Sequence, residues 1–226
     1  LVSRTGRSAE QAFGYLVENC FRVIVAISAD ISVAEDAFYA RVITGRDASL
    51  LFHAAGLLRD AILTRQTAGD IRVVAAPKSV AFLRHFRPSR DLLGTPLDAS
   101  VSFSSIASFF GSIGQAPYAA ANASLEGLAI IERVRGAVNG SCAFGAWKNT
   151  GMAANGGSEA AEKYGYGALS LDEGVRALAF AASSGGGVFP SEGRMIVTPI
   201  EWLTLSLSLD SRITSRMSVF NDFLPG

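Results

Sequence analysis

The sequence predicts an α/β fold built on a doubly wound parallel sheet, and three observations lead to this fold class. Short apolar runs alternate with helical patterns along the 226 residues, as in repeated β-α-β units. Most of these runs lack polar alternation, which is typical of strands that helices cover on both faces. In addition, 49% apolar and 18% charged residues are sufficient to fill one core at this length.

Six strands are predicted from the short apolar runs. In chain order they lie at about 1–4, 22–29, 49–54 (SLLFHA), 99–105 (ASVSFSS), 140–147 (GSCAFGAW) and 194–199 (RMIVTP). Helical patterns between them predict helices near 8–18, 33–43, 69–87, 115–135 and 171–183. Because helices alternate with the strands, we expect the strands to run parallel.

No internal repeat or domain linker interrupts this pattern, so residues 1–226 are predicted to form one domain. Two connections are rich in glycine, at 155–167 and 183–187. The first is too long for a tight turn. We therefore predict a lid over a functional site, formed by the segment 148–170.

Charge and cysteine usage exclude several classes of function. Twenty basic and twenty acidic side chains cancel, so no global field attracts the chain to nucleic acid or to an anionic membrane. Cys20 and Cys142 lie far apart without a CxxC spacing, which predicts two reduced, buried thiols and no metal site. No apolar run reaches the roughly 20 residues of a membrane span. We expect a cytoplasmic protein with neither a nucleic-acid nor a membrane partner.

The segment FSSIASFFGSIGQAPYAAANASLEGLA, at 103–129, combines several polar groups where a strand gives way to a helix. Ser105 is predicted to end the strand, and Tyr118 to lie near the start of the helix, on the same helical face as Asn122. Ser104 is the competing serine. Since catalytic groups of α/β folds gather at the carboxyl ends of strands, this segment is the predicted centre of chemistry.

A phenol needs help to act near neutral pH, because its ordinary pKa is about 10. A nearby cation favours the ionised form and lowers that pKa. Lys78, in the stretch AAPKSVAFLRHF, lies on the preceding predicted helix and is the candidate cation.

A series of motifs along the chain resembles the ketoreductase domain of type I polyketide synthases and related fatty acid synthases. These domains belong to the short-chain dehydrogenase/reductase superfamily, whose fold is Rossmann-like. The motifs are LVSRTGR, ADIS, LLFHAAGLLRDAIL, APKSVAFL, the 103–129 segment, FGAWKNTGMA and VTPIEW. The wider superfamily places lysine four residues after the tyrosine, where this chain has Asn122; the polyketide-type domains interchange the two, and Lys78 fits that variant.

The resemblance implies NADPH-dependent reduction of a β-ketoacyl thioester, carried on an acyl carrier protein, to a β-hydroxyacyl thioester. Ser105 would hydrogen-bond the ketone oxygen as charge develops there. Tyr118 would deliver the proton to that oxygen as general acid. Lys78 would lower the pKa of the tyrosine and reach the nicotinamide ribose, and Asn122 would hold a water or the lysine. Neighbouring synthase domains are implied as further partners.

The resemblance also implies which residues bind the cofactor. Arg4 would meet the 2′-phosphate, which favours NADPH over NADH. The other candidates are Ser3, Asp30, Ile31, Ala54, Ala55 and Gly56. The glycine-rich turn that brings backbone amides to a pyrophosphate is not found in these residues. We therefore expect the first strand and this turn to lie upstream of Leu1, so that the domain is N-terminally incomplete here.

A third group of residues is implied to guide the substrate. It comprises Leu58, Asp60, Phe110, Gln115, Trp147 and Met152. Domains that yield the D-alcohol often carry Leu-Asp-Asp where this chain has Leu58-Arg59-Asp60, and the opposite type has tryptophan where this chain has Phe110. The resemblance thus favours a D-configured product.

Two alternatives stay open. A reductase-like scaffold could bind neighbouring synthase domains without turnover, although it would have no need for the whole set of polar site residues. A free-standing short-chain ketone reductase would be expected to carry lysine at the position of Asn122.

Overall fold

The structure, a computed structural model, describes residues 2–3, 27–28, 30–33, 35–36, 50–83, 99–137, 139–148, 161–183 and 193–208. All six predicted strands have a counterpart within these ranges. They are β1 (Val2–Ser3), β2 (Ile27–Ser28), β3 (Leu50–His53), β4 (Ala99–Ser105), β5 (Asn139–Phe144) and β6 (Arg194–Val197). The predicted parallel direction is confirmed for every strand pair in this part of the chain.

Within the described residues, the hydrogen-bonded strand pairs fall into a sheet of two strands and a sheet of four. β1 pairs with β2, and the second sheet has the order β3-β4-β5-β6. In that sheet the register brings Ser105, the last residue of β4, opposite Phe144, the last residue of β5. The carboxyl ends of the two central strands therefore lie at one edge, where loops converge.

Five α-helices accompany the strands in the described ranges. They are α1 (Ala68–Ala75), α2 (Ala107–Phe110), α3 (Ala116–Val134), α4 (Leu171–Ser183) and α5 (Trp202–Ser208). Helices α3 and α4 agree closely with the predicted helices at 115–135 and 171–183. The prediction at 8–18 lies outside the described residues, and only 35–36 of the predicted helix 33–43 is described, as helix. Helices α2 and α5 were not predicted.

The helix predicted at 69–87 has a different form around its centre. After α1 the backbone continues as a π-helical turn, Ala76–Val80, and then as α-helix to the last described residue of this range, at 83. In the turn, the N–H of Ala81 donates to the carbonyl of Ala76. Pro77 explains the change, because proline has no N–H to donate and its ring crowds the carbonyl four residues earlier.

Helices cover the four-stranded sheet on both faces, which is the doubly wound arrangement. On one face, β4 presents small buried serines, and Ser104 hydrogen-bonds residues of α3. On the other face, Val101 packs in an apolar cluster with Cys142 and with Ala181 of α4. The alternation of small polar and apolar residues along β4 thus sets which helix packs on which face.

The predicted burial of one cysteine is confirmed. Cys142 lies in the core as a free thiol, and burial raises its pKa to about 12, so it is chemically inert near neutral pH. Cys20 lies outside the described residues. Within the described ranges, no helix has both the length and the apolar character needed to cross a bilayer.

Candidate active site

A cleft of about 1040 Å³ opens at the carboxyl ends of β3, β4 and β5. It lies beside the strand-to-helix junction that the sequence singles out. Eight of the predicted site residues line it: Ala54, Leu58, Lys78, Ser105, Phe110, Gln115, Tyr118 and Trp147. The fold therefore gathers these residues from four separate segments of the chain around one cavity.

Ser105 and Ser104 follow each other at the end of β4 and differ in their surroundings. The Ser105 hydroxyl accepts a hydrogen bond from the backbone N–H of Ala107, at 3.2 Å, and keeps its own proton available for donation. The Ser104 hydroxyl instead donates to the carboxyl group of Glu126, at 2.6 Å. Because Ser104 is committed to this bond, Ser105 is the serine whose hydroxyl suits a ligand in the cleft.

Tyr118 lies in the first turn of α3, where Pro117 is well placed because its missing N–H would have no helical partner there. Its side chain is buried, and burial raises the pKa of the phenol. The side chains of Asn122 and Ser105 act in the opposite direction, and the Asp60 carboxylate adds to the increase. The phenol thus holds its proton at neutral pH, which is the form that a general acid requires.

Lys78 lies in the π-helical turn, and its side chain is only 2% exposed. The Nζ atom donates to the backbone carbonyl of Phe103 in β4, at 2.9 Å, and lies 5.4 Å from the ring centroid of Tyr118. Burial lowers the pKa of Lys78 to about 8. The lysine therefore lies beside the tyrosine, as the sequence analysis expects.

The pKa of Tyr118 is shifted in the opposite direction from the one that the sequence analysis expects. The sequence analysis has Lys78 lowering the pKa of Tyr118, whereas burial dominates and raises it. The physical reason is burial, which disfavours the phenolate of Tyr118 and the charged amine of Lys78 alike.

Asn122 does not reach the cleft wall. It is fully buried within α3, and its Nδ2 donates to the backbone carbonyl of Tyr118, at 2.8 Å. Its Oδ1 is buried and has no hydrogen-bond partner in the described part of the chain. A buried acceptor in this condition is costly unless it binds a water or another donor. This orphaned acceptor fits the water-holding role that the resemblance implies.

Side-chain amides hold the loop after β3 near the loop that precedes α3. Gln115 donates from Nε2 to the Asp60 carboxylate, at 2.9 Å, so two of the predicted guiding residues contact each other. Asp60 itself does not line the cavity. The Gln66 amide bonds the carbonyls of Arg59 and Ala61, at 3.1 and 3.0 Å. The segment that carries Leu58 is therefore held against the loop before α3.

Aromatic residues form much of the remaining wall. The ring of Phe110 lies 5.6 Å from that of Tyr166, and the ring of Trp147 lies 5.1 Å from that of Phe144. Tyr164 and Tyr166 also line the cleft. Both belong to the second half of the segment 148–170, of which Lys148 and residues 161–170 are described.

Several groups in the site were missed by the sequence analysis. Tyr164 and Tyr166 add two phenols to a cleft in which only Tyr118 was considered. His53 is not such a group: it does not line the cleft, and it is buried in the core with its Nε2 3.2 Å from the carbonyl of Lys78. Only tertiary structure brings these groups together. Glu126 is different, because it continues the four-residue spacing of Tyr118 and Asn122 along α3 and was detectable.

None of the other described cofactor candidates is among the residues that line the cleft. Ala55 and Gly56 directly follow Ala54 but do not line the cavity. The carboxylate of Asp30 accepts hydrogen bonds from the N–H and the hydroxyl of Ser32, in a turn that includes Ile31. Ser3 ends β1, paired with Ser28. Arg4 and Met152 lie outside the described residues.

Comparisons with known proteins agree with this arrangement. A family model described as "KR domain" matches residues 1–149. The chain is 38% identical to the pikromycin polyketide synthase component PikAII of Streptomyces venezuelae over 163 residues, which cover 66% of this chain and 4% of that protein. It is 32% identical to the polyketide synthase GfsA of Streptomyces halstedii over 207 residues, 89% of this chain and 3% of that protein.

A solved structure described as an A1-type ketoreductase superimposes with a TM-score of 0.78 and 28% identity. The match covers 91% of this chain and 43% of that chain. The chain thus spans less than half of this structural relative and a small fraction of the two synthases. Sequence family, fold and the position of the cleft all lead to the same assignment. The chain belongs to the ketoreductase domain family of polyketide synthases, within the short-chain dehydrogenase/reductase superfamily.

Proposed function

We propose that this chain reduces a β-ketoacyl thioester, presented on an acyl carrier protein, to the β-hydroxyacyl thioester, with NADPH as the reductant. The observation that carries the proposal is the convergence of Ser105, Tyr118 and Lys78 on one cleft at the carboxyl ends of the strands. These are the hydroxyl, phenol and amine that a carbonyl reduction requires. The closeness of Lys78 to the Tyr118 ring supports their joint action.

Proton transfer falls to Tyr118 in this proposal. When bound, NADPH would supply the hydride for the ketone carbon. Ser105 donates a hydrogen bond to the ketone oxygen and holds it where negative charge develops. Tyr118 gives its proton to the same oxygen, so that the ketone gains one hydride and one proton and becomes an alcohol.

Two features support a nicotinamide in the same cleft. Ala54 is exposed at the end of β3 and is small, so a flat ring can lie against the backbone there. The Lys78 amine at the cleft wall can donate to the ribose hydroxyls. Arg4 carries the proposed preference for the 2′-phosphate of NADPH, with Ser3, Asp30, Ile31, Ala55 and Gly56 as the remaining cofactor contacts.

The acyl chain and its carrier approach from the aromatic side of the cleft. The proposed guiding residues Leu58, Phe110, Gln115 and Trp147 all line the cleft. The segment 148–170 acts as the lid, with Met152 as a further contact. Water exclusion by such a lid would strengthen the hydrogen bonds to the ketone.

A non-catalytic scaffold is the second candidate, and the burial of Lys78 argues against it. Its amine donates a hydrogen bond to a backbone carbonyl, and within the described ranges it forms no ion pair with a carboxylate. An amine desolvated in this way lowers the stability of the fold. A scaffold gains nothing from that cost, whereas a reductase uses the amine.

The proposal is tested by steady-state kinetics of the full-length protein with NADPH and a β-ketoacyl thioester. We expect Tyr118→Phe to lower kcat by about 10²- to 10⁴-fold, the usual contribution of a general acid, with the cofactor Kd unchanged. Tyr166→Phe is the matched control, because it removes a second phenol of the same cleft, one whose pKa burial raises to about 12.

Three results would count against the proposal. Absence of turnover in the wild-type protein would favour the scaffold. Near-normal kcat in Tyr118→Phe would remove that residue from its role. If Tyr166→Phe lowers kcat as much as Tyr118→Phe does, the loss cannot be assigned to proton donation by Tyr118.

A further inference from the structure

Glu126 is a buried acidic residue that the proposed reaction does not use. It follows Tyr118 and Asn122 at successive four-residue steps on α3, so the three share one face of the helix. Its side chain is almost fully buried, with 6% of the residue exposed. It is not among the residues that line the cleft.

Two serine hydroxyls, one on each side of Ser105 in the sequence, donate to the carboxyl group of Glu126. The Ser104 hydroxyl contacts Oε1 at 2.6 Å, and the Ser108 hydroxyl contacts the same oxygen. The Ser108 hydroxyl also lies 2.7 Å from the backbone carbonyl of Ser105. The contacts of Glu126 thus connect the end of β4 and the start of α2 to α3.

Burial of a carboxyl group is unfavourable unless hydrogen bonds compensate for the lost water. In the described part of the chain, the side-chain contacts of Glu126 are these two hydroxyls, and none of its partners is a cation. An apolar residue would fill this core position at lower cost. The polar set therefore has a use other than packing, and it surrounds the residue that is proposed to bind the ketone.

We infer that Glu126 is a positioning residue for Ser105. It holds β4 and α2 against the helix that carries Tyr118, and so fixes the Ser105 hydroxyl relative to the Tyr118 phenol. The inference rests on the proposed function, because it concerns the two groups assigned to the ketone oxygen. A displacement of about 1 Å between such groups can reduce a rate by about 10²-fold.

The test compares variants of the full-length protein. Glu126→Ala is expected to lower kcat by up to about 10²-fold while the cofactor Kd stays unchanged, because Glu126 does not contact the cleft. Glu126→Gln is expected to keep kcat close to wild type, because the amide oxygen accepts the same two hydrogen bonds. Glu132→Ala is the structural control, since Glu132 is buried on the same helix beside Arg135 and far along the helix from the site.

A double-mutant cycle with Ser105 separates positioning from general damage to the fold. Once Ser105→Ala has removed the hydroxyl, Glu126→Ala is expected to cause little further loss of kcat. Ser108→Ala removes the hydrogen bond to the Ser105 carbonyl. It is expected to lower kcat in the wild-type background and to cause little further loss in the Ser105→Ala background. This variant provides the measurement if Glu126→Ala fails to fold.

Several outcomes would overturn the inference. They are equal losses from Glu126→Ala in the wild-type and Ser105→Ala backgrounds, an equal loss in Glu132→Ala, or wild-type kcat in both Glu126→Ala and Ser108→Ala. Failure of the proposed function is distinguishable, because the wild-type protein would then show no turnover, or Ser105→Ala would itself retain wild-type turnover.

Discussion

Lys78 illustrates how a single residue can serve a site at the expense of the fold. Burial lowers its pKa from 10.5 to about 8, so the folded protein disfavours the charged amine. Below pH 8 the amine is protonated in both states, and the fold bears the full cost of burying a charge. Between about pH 8 and 10.5 the unfolded chain binds more protons than the folded one, so stability rises with pH in that window.

Because burial of the charged Lys78 amine destabilises the fold, a neutral residue at this position is expected to stabilise it. A shift of this size corresponds to a cost of about 3 kcal/mol below pH 8. Lys78→Met is therefore expected to be more stable than wild type at pH 7, with an advantage that shrinks towards pH 10.5 and a much reduced turnover. Urea unfolding of both proteins at pH 7 and pH 10 measures this difference in the free energy of unfolding. A Lys78→Met advantage that grows with pH would contradict the account.

Asp60 and Gln115 carry the prediction about stereochemistry. Their hydrogen bond joins the loop of Leu58 to the loop before α3, on one side of the cleft. With the ketone approaching along this side, we predict that the D-alcohol is the main product. Chiral chromatography of the product measures this, with Asp60→Ala expected to give a lower excess. A predominantly L-configured product from the wild-type protein would refute the prediction.

Some residues of the site could be predicted from the sequence and others could not. Ser105 and Tyr118 were predictable because a strand end and the following helix start are local features. The position of Lys78 on the preceding helix was predictable, but its bond to the Phe103 carbonyl was not, because it joins residues 25 positions apart. The raised pKa of Tyr118 also depends on tertiary burial, which no local pattern contains.

At the level of elements, a π-helical turn places Lys78 at the cleft. Pro77 interrupts the regular hydrogen bonding after α1, and His53 contacts the turn through the carbonyl of Lys78. The sequence predicted a continuous helix here, because one extra residue in a single turn hardly changes the spacing of the apolar residues. Helix α2 has four residues, too few for a periodic pattern to indicate.

Helix α4 supports the cleft through a glycine. A methyl group at Gly174 would lie 2.0 Å from the Trp147 ring, so Gly174→Ala must displace the indole. We expect a raised KM for the thioester and an unchanged cofactor Kd, because Trp147 lines the proposed substrate side. Gly127→Ala on α3 is the matched control, since its methyl group would meet no atom within 4 Å.

The control has its own expected result. Alanine is favoured over glycine in a helix by about 1 kcal/mol, so Gly127→Ala should stabilise the protein slightly without changing KM. Thermal unfolding together with substrate titration checks both variants. An unchanged KM in Gly174→Ala would show that Trp147 does not contact the acyl chain.

For the molecule as a whole, the sequence predicted the parallel sheet and the helices on both faces. Apolar strands without alternation, such as GSCAFGAW, indicate burial on both sides, and the structure confirms it for β5. The order of the strands in the four-stranded sheet was not predictable. Pairing depends on contacts between distant segments, and strand propensity does not specify which segments become neighbours.

The central claim is that this cleft transfers a hydride from NADPH and a proton from Tyr118 to a β-ketoacyl thioester. The most direct test incubates the full-length protein with the thioester and NADPH deuterated at the transferred position, followed by mass spectrometry of the acyl product. We predict deuterium on the carbon that carried the ketone in the wild-type product, and almost none formed by Tyr118→Phe in the same time. Absence of labelled alcohol from the wild-type protein, or its formation at an equal rate by Tyr118→Phe, would contradict the claim.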